Sequence, residues 1–329
     1  MKIAVDAMGG DYAPAEIVKG ALDAASEFGN DQIVLVGDRK KIKKYFDRSF
    51  NNVEIVHTDE FIGMDESPSV ALKAKKNSSM KLAAEQVKSG DCQAMVCAGN
   101  TGALLESSLL TLGRIGGIKR PALAVLLPSK KKPVMLLDAG ANADCRIEYL
   151  MQFAYMGSIY MERVAGVKRP RVGLLNIGEE EGKGDKFYRE TYDKLKETKG
   201  INFIGNVEPR KVFAGDVEVA VADGFVGNMA LKSSEAATDL LNSLLREGIK
   251  KSMIAKVAAL TLKPIFKSMK KCLDPSEHGG ALLLGLKGIV VKSHGRADAR
   301  TIFNAVALAR RIHEQKVLTH IQEIVSKSK

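Results

Sequence analysis

The sequence predicts an α/β fold, a mostly parallel but mixed sheet covered by helices on both faces. Short, wholly apolar runs of strand length alternate with stretches of helical period, the pattern of buried strands joined by crossover helices. Six of these runs end in a polar, glycine-rich corner, at Asp6, Gly37, Gly99, Asp138, Gly178 and Asp223. Ligands of open α/β sheets bind outside the carboxyl ends of the strands, so parallel strands would gather these corners along one edge.

The elements follow in order. Ile3-Ala4-Val5-Asp6 is a first strand, opening into Ala7-Met8-Gly9-Gly10-Asp11 and a helical pattern from Ala15 to about Phe28. Ile33–Asp38 is a second strand, followed by a basic helix through Lys44. Val53–His57 alternates and leads into a polar loop with Asp65, Glu66, Ser67 and Pro68. A helix over about Met80–Ser89 precedes the apolar run Ala94-Met95-Val96-Cys97. Gly99-Asn100-Thr101-Gly102 breaks that run, and helical spacing resumes at Leu105, Leu109 and Leu112. Leu123–Leu127 and Val134–Asp138 are joined by a link too short for a crossover helix, so this pair is predicted antiparallel. Asp138-Ala139-Gly140-Ala141-Asn142 closes the second of them, before a long helix over about Arg146–Val164. Arg171–Gly178, Ile201–Gly205 and Val217–Asp223 are further strands, and a helix begins after Gly224-Phe225-Val226-Gly227-Asn228. No linker, repeat or low-complexity tract divides the chain, which predicts one large domain over residues 1–329.

Composition narrows the function. No run of about eighteen apolar residues exists, so no membrane-spanning helix is expected. The first residues read as a strand and not as a signal peptide. Cys92, Cys97, Cys145 and Cys272 form no CxxC pair and no metal spacing with histidine, which points to reduced thiols in the cytoplasm and to no metal. The net charge of +11 calls for an acidic partner: nucleic acid, anionic lipid or an acidic protein. Aromatic residues at 5% and the absence of Trp argue against base stacking.

Gly99-Asn100-Thr101-Gly102 fits a small anion cradle, because glycines admit a close ligand and the first N–H groups of a helix lack partners. It equally fits a tight turn with Asn or Thr as N-cap. It is neither a Walker A loop nor a GxGxxG fingerprint.

Asp6-Ala7-Met8-Gly9-Gly10-Asp11, Ala98-Gly99-Asn100-Thr101-Gly102-Ala103-Leu104, Asp138-x-Gly140-Ala141-Asn142 and Asp223-Gly224-Phe225-x-Gly227-Asn228 occur together and in this order. With Gly173–Gly178, Asn202–Glu208 and His294-Gly295, they make a chain that resembles the bacterial phosphate acyltransferases of phospholipid synthesis over nearly its whole length. Cys97 departs from the serine usual there. The resemblance implies a three-layer α/β/α sandwich of the isocitrate/isopropylmalate dehydrogenase-like type, shared with phosphotransacetylases. It also implies a homodimer, no cofactor, and transfer of a fatty acyl group from acyl carrier protein to inorganic phosphate. The acyl phosphate would pass to a membrane glycerol-3-phosphate acyltransferase, and no nucleic acid would be involved. A phosphotransacetylase using a short acyl-CoA and a non-catalytic basic scaffold are the alternatives.

On this reading Lys183, Asn228 and Asp223 are the candidate catalytic residues. Lys183 is a glycine-flanked cation suited to an oxyanion, and Asn228 is either an amide donor or the cap of a helix starting near Met229. Asp6, Gly9, Gly10, Gly99, Asn100, Thr101, Gly102, Asp138, Asn142 and His294 form the candidate phosphate- and substrate-binding set. The three aspartates fit either capping or proton-accepting roles. Cys97 reads as a buried structural thiol, so phosphate attacks the thioester directly. Residues 250–271 hold seven lysines and no acid. On one helical wheel Lys256, Lys263 and Lys267 oppose Ile254, Ala258 and Ile265, within a basic amphipathic protrusion over 245–275 that Pro264 kinks or splits. The lysines suit anionic lipid or an acidic carrier, and the family's peripheral membrane association favours lipid, at the inner face of the cell membrane.

Overall fold

The computed structural model describes residues 1–273, 277 and 279–327. The strands are β1 (Lys2–Asp6), β2 (Gln32–Gly37), β3 (Val53–His57), β4 (Ala94–Cys97), β5 (Ala122–Leu127), β6 (Val134–Leu137), β7 (Arg171–Leu175), β8 (Asn202–Val207), β9 (Val219–Val221), β10 (Ala281–Leu284) and β11 (Ile289–Lys292). The helices are α1 (Ala15–Glu27), α2 (Arg39–Lys43), α3 (Pro68–Ala74), α4 (Ser79–Ser89), α5 (Thr101–Leu112), α6 (Ile147–Arg163), α7 (Lys186–Glu197), α8 (Pro209–Ala214), α9 (Gly224–Lys250), α10 (Met253–Thr261), α11 (Lys263–Leu273), α12 (Ala299–Glu314) and α13 (Val317–Lys327).

The strands form one sheet in the order β3-β2-β1-β4-β11-β10-β5-β6-β9-β7-β8. Both faces are covered, so strand residues of either parity are apolar. Ile3, Val5, Ile33 and Leu35 pack beneath α1, α6, α7, α12 and α13, while Ala4, Val34, Val36 and Leu136 pack beneath α3, α4, α5, α8 and α9. This is the predicted three-layer α/β/α sandwich. Each large side chain in these layers contributes roughly 1.5–3 kcal/mol by leaving water. The predicted hairpin is present, with β5 antiparallel to β6 through Val125 and Leu136.

Strand direction corrects one expectation. β3, β2, β1, β4 and β11 run parallel to one another. β10 is antiparallel to β11 and to β5, and β5 is antiparallel to β6. β6, β9, β7 and β8 are therefore parallel among themselves but opposed to the first five. The six corners do not share an edge: those after β1, β2 and β4 lie on one edge, and those after β6, β7 and β9 on the other.

The protrusion also differs from a single wheel. α9 has 27 residues, about 40 Å at 1.5 Å per residue, yet buries only Gly224, Gly227 and Leu231. α10 ends at Thr261 with Leu262 as its C-cap, and Pro264 is the second residue of α11, where a missing N–H costs nothing. Lys256 thus sits on α10 while Lys263 and Lys267 sit on α11, so they form no continuous stripe. The exposed apolar residues of α10 are Met253, Ile254, Val257 and Leu260, a broader face than Ile254 and Ala258 alone. Residues 274 and 275 of the predicted protrusion lie outside the described residues.

Candidate active site

The first corner is built where β1, β4 and β11 end. Asp6, Cys97 and Lys292 stand in register on these three adjacent strands, and all three are buried. The Cys97 thiol donates to Asp6 Oδ2 at 3.1 Å, and the Met8 N–H donates to Oδ1 at 3.2 Å. Lys292 Nζ donates to the Ala98 and Ser293 carbonyls. Burial raises the pKa of Asp6, against the hydrogen bonds it accepts from Cys97 and the Met8 N–H, and burial lowers that of Lys292, against the charges of Cys97, Asp11 and Asp6. Burial, with Asp6 next to it, pushes the Cys97 thiol far up, so it is no thiolate nucleophile.

The glycines here serve close backbone packing. A Cβ on Gly9 would lie 2.5 Å from Asp6 Oδ2 and 2.9 Å from the Gly99 backbone. Gly10 has φ +115°, open to glycine, with the Gly295 carbonyl against it. Asn100 is the N-cap of α5: its Oδ1 accepts from Ala103 N–H at 3.0 Å, and its Nδ2 donates to the Met64 and Glu66 carbonyls. Its side chain is fully used in holding the turn and the loop above it. The N–H groups of Thr101 and Gly102 keep no intrahelical partner. A Cβ on Gly102 would press on Pro68 Cγ at 2.8 Å, so bulk there disrupts α3 before it reaches an anion.

His294 follows β11. Its Nδ1 accepts from the Arg296 N–H at 3.1 Å, which leaves the proton of the neutral ring on Nε2. Partial burial, then Lys292, Lys232 and Arg296, lower its pKa, against the pull of Glu235. The ring is surrounded by cations and is a neutral donor at neutral pH.

The second corner is built where β6, β7 and β9 end. Asp138 is fully buried. Its Oδ1 accepts from the N–H groups of Leu123, Gly140 and Ala141, and its Oδ2 accepts from the N–H and Nδ2 of Asn142. Asn142 Nδ2 also donates to the Pro121 carbonyl at 2.8 Å, and its own carbonyl accepts from Gly224 N–H. Asp223 is the N-cap of α9: Oδ1 accepts from Phe225 and Val226 N–H, and Oδ2 from the Tyr188 hydroxyl at 2.5 Å. These carboxylates are committed to holding donors, which argues against Asp223 as a proton acceptor.

Because Asp223 caps α9, Asn228 is not the cap. It lies in the second turn, exposed, with Cγ 3.3 Å from where a Cβ on Gly140 would stand. Among the described residues its amide has no hydrogen-bond partner. Gly227 lets the helix close on the sheet, since a Cβ there would fall 1.9 Å from the Asp138 carbonyl. Lys183 projects from the loop after β7, half exposed, 3.8 Å from Glu180. Asn176 and Asn206, at the ends of β7 and β8, hold that loop: Asn176 Nδ2 donates to the Lys183 carbonyl and to Asn206 Oδ1, and Asn206 Nδ2 donates to the Glu180 carbonyl.

The structure therefore brings Lys183, Asn228, Asp223, Asp138 and Asn142 to one edge, and Asp6, Gly9, Gly10, Gly99, Asn100, Thr101, Gly102 and His294 to the other. Asn142 cannot share an anion with His294 as one cradle. β6 is three strands from β11, which His294 follows, about 14 Å at the usual spacing, and it runs the other way. α9 links the two corners. Asn228, Lys232 and Glu235 recur at helical spacing, and Lys232 and Glu235 act on His294 about 6 and 10 Å further along the axis than Asn228. Sequence reasoning missed Lys292, whose signal was a lysine closing the apolar run Ile289-Val290-Val291 before Ser293-His294-Gly295. It also missed Lys232, Tyr188 and the Asn176–Asn206 pair.

A family model described as a fatty acid synthesis protein matches residues 1–320. The chain belongs to this family. A phosphate acyltransferase of Dictyoglomus turgidum is 50% identical over 331 residues, covering 99% of this chain and 98% of the other. A phosphate acyltransferase of Clostridium botulinum is 46% identical over 325 residues, covering 98% and 97%. Among solved structures, a phosphotransacetylase from Streptococcus pyogenes superposes with a TM-score of 0.64 at 15% identity, over 95% of this chain and 94% of that one. That likeness establishes the shared fold.

Proposed function

We propose that this chain transfers a fatty acyl group from the thioester of acyl carrier protein to inorganic phosphate, releasing acyl phosphate for phospholipid synthesis. Membership of a family of phosphate acyltransferases supports acyl transfer to phosphate. The observation that carries the mechanism is α9, which presents the unpartnered Asn228 amide at one corner and brings Lys232 within electrostatic reach of His294 at the other.

In this reading phosphate is gathered at the first corner by Lys292, by His294 Nε2–H and by the free N–H groups of Thr101 and Gly102. It passes along α9 by way of Lys232 to meet the thioester at the second corner, since the reacting atoms must come within about 3 Å. A phosphate oxygen attacks the thioester carbonyl carbon, a C–O bond forms, and negative charge builds on the carbonyl oxygen. Asn228 and Lys183 donate to that oxygen where the charge develops. The C–S bond then breaks and the carrier thiol leaves with a proton from the phosphate. Asp138, Asp223 and Asn142 fix the donors and do not exchange protons with substrate.

The deciding experiment incubates the protein with long-chain acyl carrier protein and phosphate, traps product with hydroxylamine, and compares palmitoyl-CoA and acetyl-CoA as donors. Acyl phosphate from the carrier thioester is expected. Product from acetyl-CoA alone favours the phosphotransacetylase reading, and no product from any donor overturns the activity. Cys97→Ser keeps a donor to Asp6 and is expected to retain most of its turnover. An acyl group recovered on Cys97, or a dead but folded serine variant, refutes direct attack.

Among the described residues no helix is long and apolar enough to cross a membrane. Peripheral attachment at the inner face of the cell membrane is supported by Met253, Ile254, Val257 and Leu260, exposed beside lysines. Leu240, Leu241 and Leu244 of α9 suit a second copy of the chain in a homodimer. Handing acyl phosphate to a membrane glycerol-3-phosphate acyltransferase fits that placement. Ile254→Asp is expected to release the protein from anionic vesicles in sedimentation while activity in solution persists. Unchanged sedimentation would make this face an interface between proteins.

A further inference from the structure

The loop between α5 and β5, Gly113-Arg114-Ile115-Gly116-Gly117-Ile118-Lys119-Arg120, takes no part in the site described above. Ile115 and Ile118 are buried anchors, and Ile115 N–H donates to the Gly285 carbonyl at 2.9 Å. Gln152 of α6 clamps the loop from the side: Oε1 accepts from Lys119 N–H at 2.8 Å, and Nε2 donates to the Gly117 carbonyl at 2.9 Å. Arg114 ties the turn by donating to the Lys119 carbonyl. The result is a fixed loop, with Arg114, Lys119 and Arg120 turned to solvent.

This loop and Tyr149 of α6 line an open cavity of about 730 Å³. Its lining carries three cations and no acid. Gly113 and Gly116 leave open floor, since a Cβ on either would meet nothing within 4 Å. The loop ends against the second corner: Pro121, directly after Arg120, accepts from Asn142 Nδ2 at 2.8 Å.

We infer that this cavity receives the phosphate-bearing pantetheine arm of the acyl donor, with Arg114, Lys119 and Arg120 facing the acidic surface of its carrier protein. The inference rests on the acyl-transfer reading given above. Charge complementarity selects the occupant: three cations lining one cavity with no acid among them fit a phosphodiester at the base of the arm and carboxylates around it. The Pro121–Asn142 contact gives direction: an arm lying in the cavity delivers its thioester to the neighbouring corner, which carries Asn228.

The test is direct binding, independent of turnover. Lys119→Glu/Arg120→Glu reverses two charges whose side chains make no ion pair among the described residues. Fluorescence anisotropy at low salt would compare parent and variant against holo and apo acyl carrier protein. The variant is expected to bind the holo carrier roughly tenfold or more weakly, with a shallower salt dependence. The parent is expected to favour holo over apo carrier. In parallel, transfer to phosphate from an acyl-pantetheine lacking phosphate should be equal in parent and variant. Equal holo-carrier affinity in both proteins would overturn the inference, as would a parent that does not distinguish holo from apo. A variant that dissociates into monomers on a sizing column would show a face between copies of this chain and overturn it as well. If the parent binds the carrier but forms no acyl phosphate, the acyl-transfer reading fails while the docking inference stands.

Discussion

Asn228→Ala should lose about two to three orders of magnitude in turnover, the usual effect of deleting one donor aimed at a developing oxyanion, or about 3–4 kcal/mol of barrier. Nothing in the fold depends on that amide. Asp223 caps α9, and Gly227, not Asn228, sets the approach of the helix to the Asp138 backbone. The thermal midpoint should therefore stay within a degree or two of the parent. KM for phosphate should move little, because the phosphate contacts lie at the other corner. Lys183→Ala should show the same split, with the loop still held by Asn176 and Asn206 through main-chain carbonyls. Steady-state kinetics with each substrate varied, beside calorimetry, checks both variants. An Asn228→Ala protein with parental turnover would remove the oxyanion role. A large fall in midpoint would make the residue structural.

The sequence made the junctions legible where local chemistry decides them. Gly99-Asn100-Thr101-Gly102 was readable as strand, turn and helix because Asn is a strong N-cap and glycine permits the close approach to Gly9. The β5–β6 hairpin was readable from its short link. A cap at Asn228 stayed open beside the donor role because Gly224 and Gly227 suggest a turn that continues to Met229. Asp223 wins the cap since its carboxylate also takes the Tyr188 hydroxyl, a partner 35 residues earlier. The division of the corners between two edges depends also on β10 pairing antiparallel with both β11 and β5, and no local pattern encodes the pairing of β10 with β5, about 155 residues apart in sequence. Lys292 was hidden for a related reason. A lysine closing a strand normally reaches solvent, and only the pairing of β11 with β4 and of β4 with β1 sets it beside Asp6.

Asp138 supports the largest predicted loss of stability. Asp138→Ala would strip five donor contacts from a fully buried site, leaving the N–H groups of Leu123, Gly140, Ala141 and Asn142 without an acceptor. Asn142 Nδ2 would keep only the Pro121 carbonyl. Breaking a buried network of charged hydrogen bonds costs about 3–5 kcal/mol, or on the order of 10 °C in midpoint for a chain of this size. Asp138→Asn separates the two oxygens. An amide can keep its oxygen on the three N–H groups at the Oδ1 position, but its NH2 then meets the Asn142 donors face to face. It should cost less stability than alanine yet still loosen Asn142, which holds the Gly224 N–H at the start of α9. Turnover of the Asn variant should fall with Asn228 displaced, while phosphate affinity at the far corner is kept. Chemical unfolding of both variants, with phosphate titrated against the folded Asn variant, separates these outcomes. A neutral alanine variant would mean that the corner does not need its carboxylate. A selective loss of phosphate binding would mean that the two edges share one anion after all.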